Sequence, residues 1–205
     1  LQWLAKDFVK HDYNLKHLMR LILNSRVYQA SSLPNETNAG DHENFARSLR
    51  RRLPAEVMAD AVTQAVGMSG KFEGLHPGSK AKTVWNTTMS SLFLDIFGRP
   101  DASAEAPCER DPSPTITQSL HLMNSEKLTK RLANEDARAS KLAKSESSPE
   151  AMVEEIYLSL YARLPSEEER AIALTAFSAE GASRQTAAED LIWALLNTPE
   201  FILNH

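Results

Sequence analysis

The chain has 205 residues, of which 42% are hydrophobic, so it carries enough apolar side chains for one large domain or two small ones. Its formal net charge of −4 at pH 7 gives no field that would attract a polyanion, so no nucleic-acid partner is expected. The longest apolar runs fall far short of the roughly 20 residues of a membrane span, and the single cysteine, Cys108, excludes a disulfide within the chain.

Two similar helix-forming segments lie near the two ends of the chain. In both, apolar residues recur at the spacing of one helix face. The first set is Leu15, Leu18, Met19, Ile22 and Leu23, and the second is Ala188, Leu191, Ile192, Leu195 and Leu196. An Asn-Ser or Asn-Thr pair follows each set and ends the helix. We predict that each copy forms a helix, a polar stop and an aromatic residue, Tyr28 or Phe201, that folds back onto the core.

The first 100 residues are predicted to be helical with long connections. Residues 2–25 have the pattern of a helical hairpin with Asn14 as a cap, and residues 31–42 are typical of an exposed loop. A third helix should begin near Pro54 and end at Gly67. We expect Thr83, Val84 and Trp85 to be extended, and residues 92–97 to form a short helix.

Residues 99–114 contain four prolines and form the predicted boundary between an N-terminal helical part, 1–98, and a C-terminal helical part, 115–205. One compact domain overall is expected. After the boundary, Pro149 and Pro165 are each predicted to begin a helix, and the helix after Pro149 has the apolar stripe Val153, Ile156, Tyr157, Leu160 and Tyr161. No alternating pattern is long enough for a sheet. We therefore predict an all-α, irregular bundle of about seven to nine helices with long loops.

The most reactive-looking cluster surrounds Cys108. A cation such as Arg110 favours a nucleophilic thiolate, but no histidine lies nearby in sequence to act as a base. The preferred interpretation is that Glu109, Arg110 and Asp111 form ion pairs that hold the proline-rich segment. His121 could act with Cys108 on a metal, but a metal site needs three or four convergent ligands. No metal or cofactor is assigned, and His121 is interpreted as a core or capping residue.

Other polar clusters have weaker signals. His11, Asp12 and His17 permit a histidine–carboxylate pair and a metal site, with surface capping as the preferred interpretation. A basic patch could receive a phosphate or sulfate group or simply form a solvated face. It consists of Arg47, Arg50, Arg51 and Arg52, of which the last three are the candidate ligand surface. A carbohydrate platform would need an exposed aromatic residue, and Trp85 is a better candidate than Trp3 or Trp193.

Several ordered motifs carry a family resemblance. They lie at residues 12–22, 52–57, 93–100, 108–113, 118–124 and 193–205. Together they resemble the C-terminal domain of unknown function (domain of unknown function 1553) of large proteins from planctomycetes and related bacteria. Where relatives tend to read Cys-Glu-Cys-Glu-Arg, this chain has Ala106-Pro107-Cys108-Glu109-Arg110, so one of the two thiols is missing. The family has no established activity, so the resemblance transfers no catalytic residue.

The resemblance implies a place for the chain in a larger protein. Family members are typically exported multidomain proteins in which this domain follows another one, often with a cytochrome-c-like domain further upstream. We therefore expect a C-terminal piece of a periplasmic or extracellular protein, with no cofactor in this chain and haem c only in an upstream domain.

Two functions follow as hypotheses. The first is a non-enzymatic helical module that packs against its upstream domain or a partner protein and serves assembly or ligand presentation. The alternative is an accessory part of an enzyme or redox protein acting on polysaccharides. In that case Glu109, Arg110 and His121 should converge on one shared pocket.

Overall fold

The computed structural model describes residues 1–41, 43–70, 76, 78–83, 91–99 and 115–204. Within these residues it contains eleven α-helices, one 3₁₀ turn and two strands of two residues each, so the predicted all-α class is confirmed. The count exceeds the predicted seven to nine because several helices are too short to show a full apolar period. None of the described helices has the length and apolarity needed to span a membrane.

The chain divides into two compact units, Leu1–Arg51 and Arg52–Asn204. The first unit contains α1 (Gln2–Lys10) and α2 (Leu15–Leu23). The second contains α3 (Ala55–Val66), a 3₁₀ turn (Ala81–Thr83), α4 (Leu92–Ile96), α5 (Ile116–Asn124), α6 (Glu126–Leu132), α7 (Arg138–Lys144), α8 (Pro149–Tyr161), α9 (Glu167–Ser178), α10 (Arg184–Leu196) and α11 (Pro199–Ile202). Strands β1 (Arg51–Arg52) and β2 (Leu203–Asn204) form a two-stranded sheet. The predicted boundary at 99–114 lies outside the described residues except for Arg99, so it stays a prediction.

The first unit begins with a helical hairpin whose turn is fixed by local hydrogen bonds. The Asn14 side chain accepts from the His17 backbone N–H at 3.1 Å, which confirms the predicted cap. Asp12 and Tyr13 both adopt left-handed conformations, with φ of 50° and 57°. The Tyr13 N–H donates to the Phe8 carbonyl at 3.0 Å, and the two rings meet edge to face. The hairpin is therefore closed by contacts within residues 7–17.

The long connection after α2 is irregular, as predicted for residues 31–42, of which the structure describes 31–41. The Asp41 carboxylate accepts hydrogen bonds from the backbone N–H groups of Glu43, Asn44 and Ala46 at 3.1, 2.8 and 2.9 Å. The bonds from Asn44 and Ala46 lower the pKa of Asp41 to about 2. Side-chain acceptors thus replace the missing secondary structure in this loop.

The core of the second unit is centred on α10, which packs against α3, α7, α8, α9 and α11. Its buried side chains are Ala187, Ala188, Leu191, Ile192, Leu195 and Leu196. Helix α8 begins at Pro149, as predicted, with Ser148 as its cap, and contributes Met152, Val153, Ile156 and Tyr157. The stripes that the sequence assigned to these two helices therefore meet in one core.

A 3₁₀ turn corrects the prediction of an extended piece at Thr83. The Asp60 carboxylate on α3 accepts hydrogen bonds from the backbone N–H groups of Ala81, at 2.5 Å, and Lys82, at 3.3 Å. These bonds hold the chain in a tight turn that packs on α3. Val84 and Trp85 lie outside the described residues.

The end of α3 is joined to α7 by Arg138. Its Nε donates to the Ala65 carbonyl and its Nη2 to the Gln64 carbonyl, both at 3.0 Å, so the arginine satisfies helix-end acceptors. Gly67 ends the helix in the left-handed region with φ of 75°. A Cβ at Gly67 would lie 3.0 Å from the Arg138 Cβ and 3.2 Å from its backbone N.

Gly67→Ala is expected to destabilise the chain by about 2–4 kcal/mol, because it adds left-handed strain to a steric clash. Gly181 also has a positive φ, of 79°, but nothing lies within 4 Å of the point that an alanine methyl group would occupy there, so Gly181→Ala should cost only the strain of about 1–2 kcal/mol. Gly40→Ala meets neither constraint and should stay within about 0.5 kcal/mol. Urea unfolding of the three variants measures the differences, and equal losses at Gly67 and Gly181 would contradict the clash.

Candidate functional site

His121 lies on α5 beside a shallow pocket of about 300 Å³. The described lining residues are Ile96, Thr117, Leu120, His121, Asn124 and Ser125. Its ring makes edge-to-face contacts with Phe93 and Phe97, with centroid distances of 5.7 and 6.4 Å. Burial lowers the pKa of His121 below its ordinary value of 6.5, which favours the neutral imidazole at pH 7. No other charged or titratable side chain is among the described lining residues.

The remaining catalytic candidates fall on residues that the structure does not describe. These are Cys108, Glu109 and Arg110, and the predicted ligand-surface residue Trp85 joins them. The predicted convergence of Glu109 and Arg110 with His121 therefore stays a prediction.

The predicted basic patch consists of side chains in different surroundings. Arg50 is exposed, and its Nε donates to the Ser32 hydroxyl at 3.4 Å. Arg51 is exposed as well, whereas Arg52 is half-buried and belongs to the second unit. The role of Arg50, Arg51 and Arg52 as a ligand surface stays a prediction.

Trp3 and Trp193 differ in exposure. Trp3 on α1 is 64% exposed, whereas Trp193 on α10 is half-buried and packs against the core. Trp193 lies within the apolar-patterned segment that the sequence assigned to a helix, and its half burial agrees with that position. Of the two, only Trp3 presents a large part of its ring to solvent.

The hairpin of α1 and α2 has no buried residue, although its helices are amphipathic. Leu4, Phe8, Leu18 and Leu21 are half-buried, and nine other large apolar side chains are between 41% and 65% exposed. They are Trp3, Val9, Tyr13, Leu15, Met19, Ile22, Leu23, Val27 and Tyr28. We call this set the hairpin face. Grouped exposed apolar side chains on a folded protein mark an interaction surface more often than scattered ones do.

The two copies of the repeated apolar stripe differ in burial. Met19 is 60% exposed, whereas Ile192, the equivalent residue of α10, is fully buried. Phe201 folds back onto the core with 6% exposure, as predicted, but Tyr28 is 59% exposed, and for this residue the prediction was wrong. The same pattern of residues therefore forms a core helix in one unit and an uncovered face in the other.

A histidine–carboxylate cluster forms at the hairpin turn, with Asp7 in place of the Asp12 considered from the sequence. The His17 Nε2 donates to Asp7 Oδ2 at 2.9 Å, and His11 Nδ1 lies 3.4 Å from the same oxygen. The two imidazole rings stack with their centroids 3.8 Å apart. The four-residue spacing of Asp7 and His11 on one helix face was the signal that sequence reasoning missed.

A second polar cluster, also missed from the sequence, joins three helices around Arg163. Arg163 donates to both carboxylate oxygens of Glu169, each at 2.7 Å, and to those of Glu200 at 2.7 and 2.8 Å. Its guanidinium carbon lies 5.7 and 5.4 Å from the ring centroids of Tyr157 and Tyr161. We call this set the Arg163 cluster. Both carboxylates are fully engaged by one cation, so the arrangement is structural.

The Arg163 cluster perturbs several ionisation equilibria. Hydrogen bonding to Arg163 lowers the pKa of Glu169 to about 2, and hydrogen bonding to Glu169 and Glu200 raises the pKa of Arg163. Burial raises the pKa of Tyr161 to about 12, and its hydroxyl lies 2.6 Å from the Thr198 Oγ1. Glu169, Arg163 and Tyr161 therefore each keep one charge state near pH 7, which suits a fixed connection between helices.

Comparison with known families gives a match over most of the chain. A family model described as a protein of unknown function (DUF1553) matches residues 1–177. The chain belongs to this family. The match includes α1 to α8 and most of α9, and it ends before the C-terminal motif at 193–205. Comparison with curated proteins and with solved structures gave no match.

A fall in pH is expected to lower the stability of the second unit, because Glu169 loses its charge on protonation. Because the pKa of Glu169 is depressed to about 2 in the folded chain, its stabilising contribution is complete above about 4.5 and is lost as the pH falls toward 2. Glu169→Gln keeps an acceptor for the Ser166 N–H but removes the charge, so it should flatten this part of the pH–stability profile. Denaturant unfolding between pH 2 and 7 measures the effect.

Glu168→Gln is the matched control, because Glu168 is exposed in the first turn of the same helix. A profile that is equally steep in the native chain and in Glu169→Gln would show that the Arg163 cluster does not control acid sensitivity.

His121 is expected to titrate below pH 6.5, because contact with Phe93 and Phe97 penalises its charged form. The unfolded chain then takes up this proton first, so stability should fall as the pH drops through about 6.5. An NMR titration of the histidine ring resonances, assigned with His121→Gln, measures the midpoint. A midpoint at or above 6.5 would contradict the burial.

Proposed function

We propose that this chain is a non-enzymatic helical module of an exported bacterial protein and that it docks onto the preceding domain of the same polypeptide. The hairpin face carries the proposal, because α1 and α2 have no buried residue despite a complete apolar stripe. Covering such a face would contribute about 25 cal/mol per Å² of apolar surface. The resemblance to exported proteins, in which this domain follows another, supports the choice of partner and a periplasmic or extracellular location.

Charge favours an acidic rim on the partner. Residues 1–51 contain eight Lys and Arg against five Asp and Glu, although the whole chain has a net charge of −4. Lys16 and Arg20 are exposed on α2, beside the hairpin face. A partner surface with an apolar centre and acidic margins would match both features.

The rival proposal is an accessory role in an enzyme or redox protein acting on polysaccharides. The pocket at His121 supports it, since a neutral imidazole in a cleft can accept a proton. The described lining residues offer no second acid or base, so this proposal depends on Glu109 and Arg110. Haem c, in this proposal, belongs to an upstream domain. The docking proposal is better supported, because the hairpin face lies entirely within the described residues and the proposal does not depend on Glu109 or Arg110.

Hydrogen exchange measured by mass spectrometry tests the docking. We expect the backbone amides of residues 15–28 to exchange at least tenfold more slowly in the polypeptide encoded by the complete reading frame than in the 205-residue chain. The double substitution Met19→Glu and Leu23→Glu places two charges in the hairpin face and should abolish this difference.

Gln29→Glu adds a charge beyond α2 at an exposed residue and should leave the protection unchanged. Equal exchange in the short and long polypeptides would overturn the proposal. Sedimentation of the 205-residue chain should show a monomer. If the chain instead forms a dimer that Met19→Glu dissociates, then a second copy of the chain covers the hairpin face. That result would also overturn the proposal.

A further inference from the structure

The turn of the hairpin brings three potential metal ligands together. One ligand atom from each of Asp7, His11 and His17 lies within 4.8 Å of the other two. Ligands that share a zinc ion at about 2.0–2.2 Å lie about 3–4 Å from one another. The Asp7 Oδ2 already lies 2.9 Å from His17 Nε2 and 3.4 Å from His11 Nδ1. The three ligand atoms are therefore close enough to share one ion once the stacked rings rotate so that both nitrogens face it.

The backbone holds these ligands in place independently of their mutual contacts. Asp7 and His11 are one helical turn apart at the end of α1, and the Tyr13 N–H closes the turn on the Phe8 carbonyl. His17 is the third residue of α2, where its own N–H is bound by the Asn14 cap. Ligands from two helices are thus fixed by the caps and the turn, which reduces the entropy lost on binding.

The ligand chemistry selects the class of ion. Two imidazoles and one carboxylate suit Zn²⁺ and its neighbours in the first transition series, and they suit Mg²⁺ poorly because that ion prefers oxygen ligands. The Asp7 side chain is 17% exposed, and those of His17 and His11 are 35% and 40% exposed. The side chains are therefore accessible from solvent, and the ion would keep at least one position for water or a ligand from a partner.

One hydrogen bond competes with binding. The His11 Nδ1 donates to the Asp7 backbone carbonyl at 2.9 Å, and a metal bond to Nδ1 would replace it. Because this hydrogen bond must be broken, the affinity for the ion is lower than it would be if His11 Nδ1 had no other hydrogen-bond partner.

We propose that Asp7, His11 and His17 form a binding site for one divalent transition-metal ion, with Zn²⁺ as the reference ion, that joins α1 to α2 at the hairpin turn. The site does not depend on the docking of the hairpin face, since none of its three ligands belongs to that face.

Calorimetric titration of the 205-residue chain with ZnCl₂ tests the proposal. We expect one Zn²⁺ ion bound per chain and no heat of binding with MgCl₂. Asp7→Asn and His17→Ala should each weaken Zn²⁺ binding at least tenfold. Asp12→Asn and His76→Ala should change it by less than about twofold, since Asp12 lies outside the cluster and His76 lies in the second unit.

An NMR measurement on the unaltered chain keeps the test independent of variant folding. Added Zn²⁺ should shift the ring resonances of His11 and His17 at one equivalent and leave those of His76 in place. Equal affinities in Asp7→Asn and Asp12→Asn, or unshifted His11 and His17 resonances, would show that the cluster is only a set of structural hydrogen bonds and would overturn the proposal.

Discussion

The second unit depends on the burial of α10. Ala188, Ile192 and Leu196 are fully buried, and the helix contacts α3, α7, α8, α9 and α11. Full burial of each large apolar side chain contributes about 1.5–3 kcal/mol relative to exposure, so this helix supplies much of the free energy that offsets the loss of chain entropy. Hydrogen bonds and ion pairs between the surrounding helices then fix their relative positions. Arg138 joins α3 to α7, and Arg163 joins the ends of α8, α9 and α11.

The first unit has no buried central helix among its described residues, although α2 carries the same apolar stripe as α10. A nine-residue helix is marginal by itself in water, so the stability of α1 and α2 must come from their turn and from whatever covers their faces. The Asn14 cap, the contact of Phe8 with Tyr13 and the hydrogen bonds of Asp7 are the local contributions. A bound ion would act on Asp7, His11 and His17, whereas a docked domain would act on the exposed apolar side chains of the hairpin face. The two proposals therefore describe separate sources of stability.

Local signals in the sequence predicted local structure well. Pro149 at the start of α8, Asn14 at the start of α2 and Gly67 at the end of α3 act through backbone geometry within a few residues, and all three have the predicted roles. Contacts between distant residues left no comparable signal, because Arg163 and Glu200 are 37 residues apart and share no spacing rule. The spacing of Asp7 and His11 did give a signal, but the sequence could not show the approach of His17 to Asp7. That approach depends on two left-handed residues in the turn, which direct His17 back toward α1. Periodicity identified the stripe of α2 but could not show whether another element covers it.

The limit of the family match does not coincide with the limit of the folded unit. The match ends at residue 177, within α9, whereas α10 begins at Arg184. A chain cut at that point would lose Leu191, Ile192 and Leu196, and it would expose the buried faces of α3 and α8 that these side chains cover. Uncovered faces of that size favour aggregation or a collapsed state without fixed packing. The second unit therefore needs the residues beyond the matched range to complete its core.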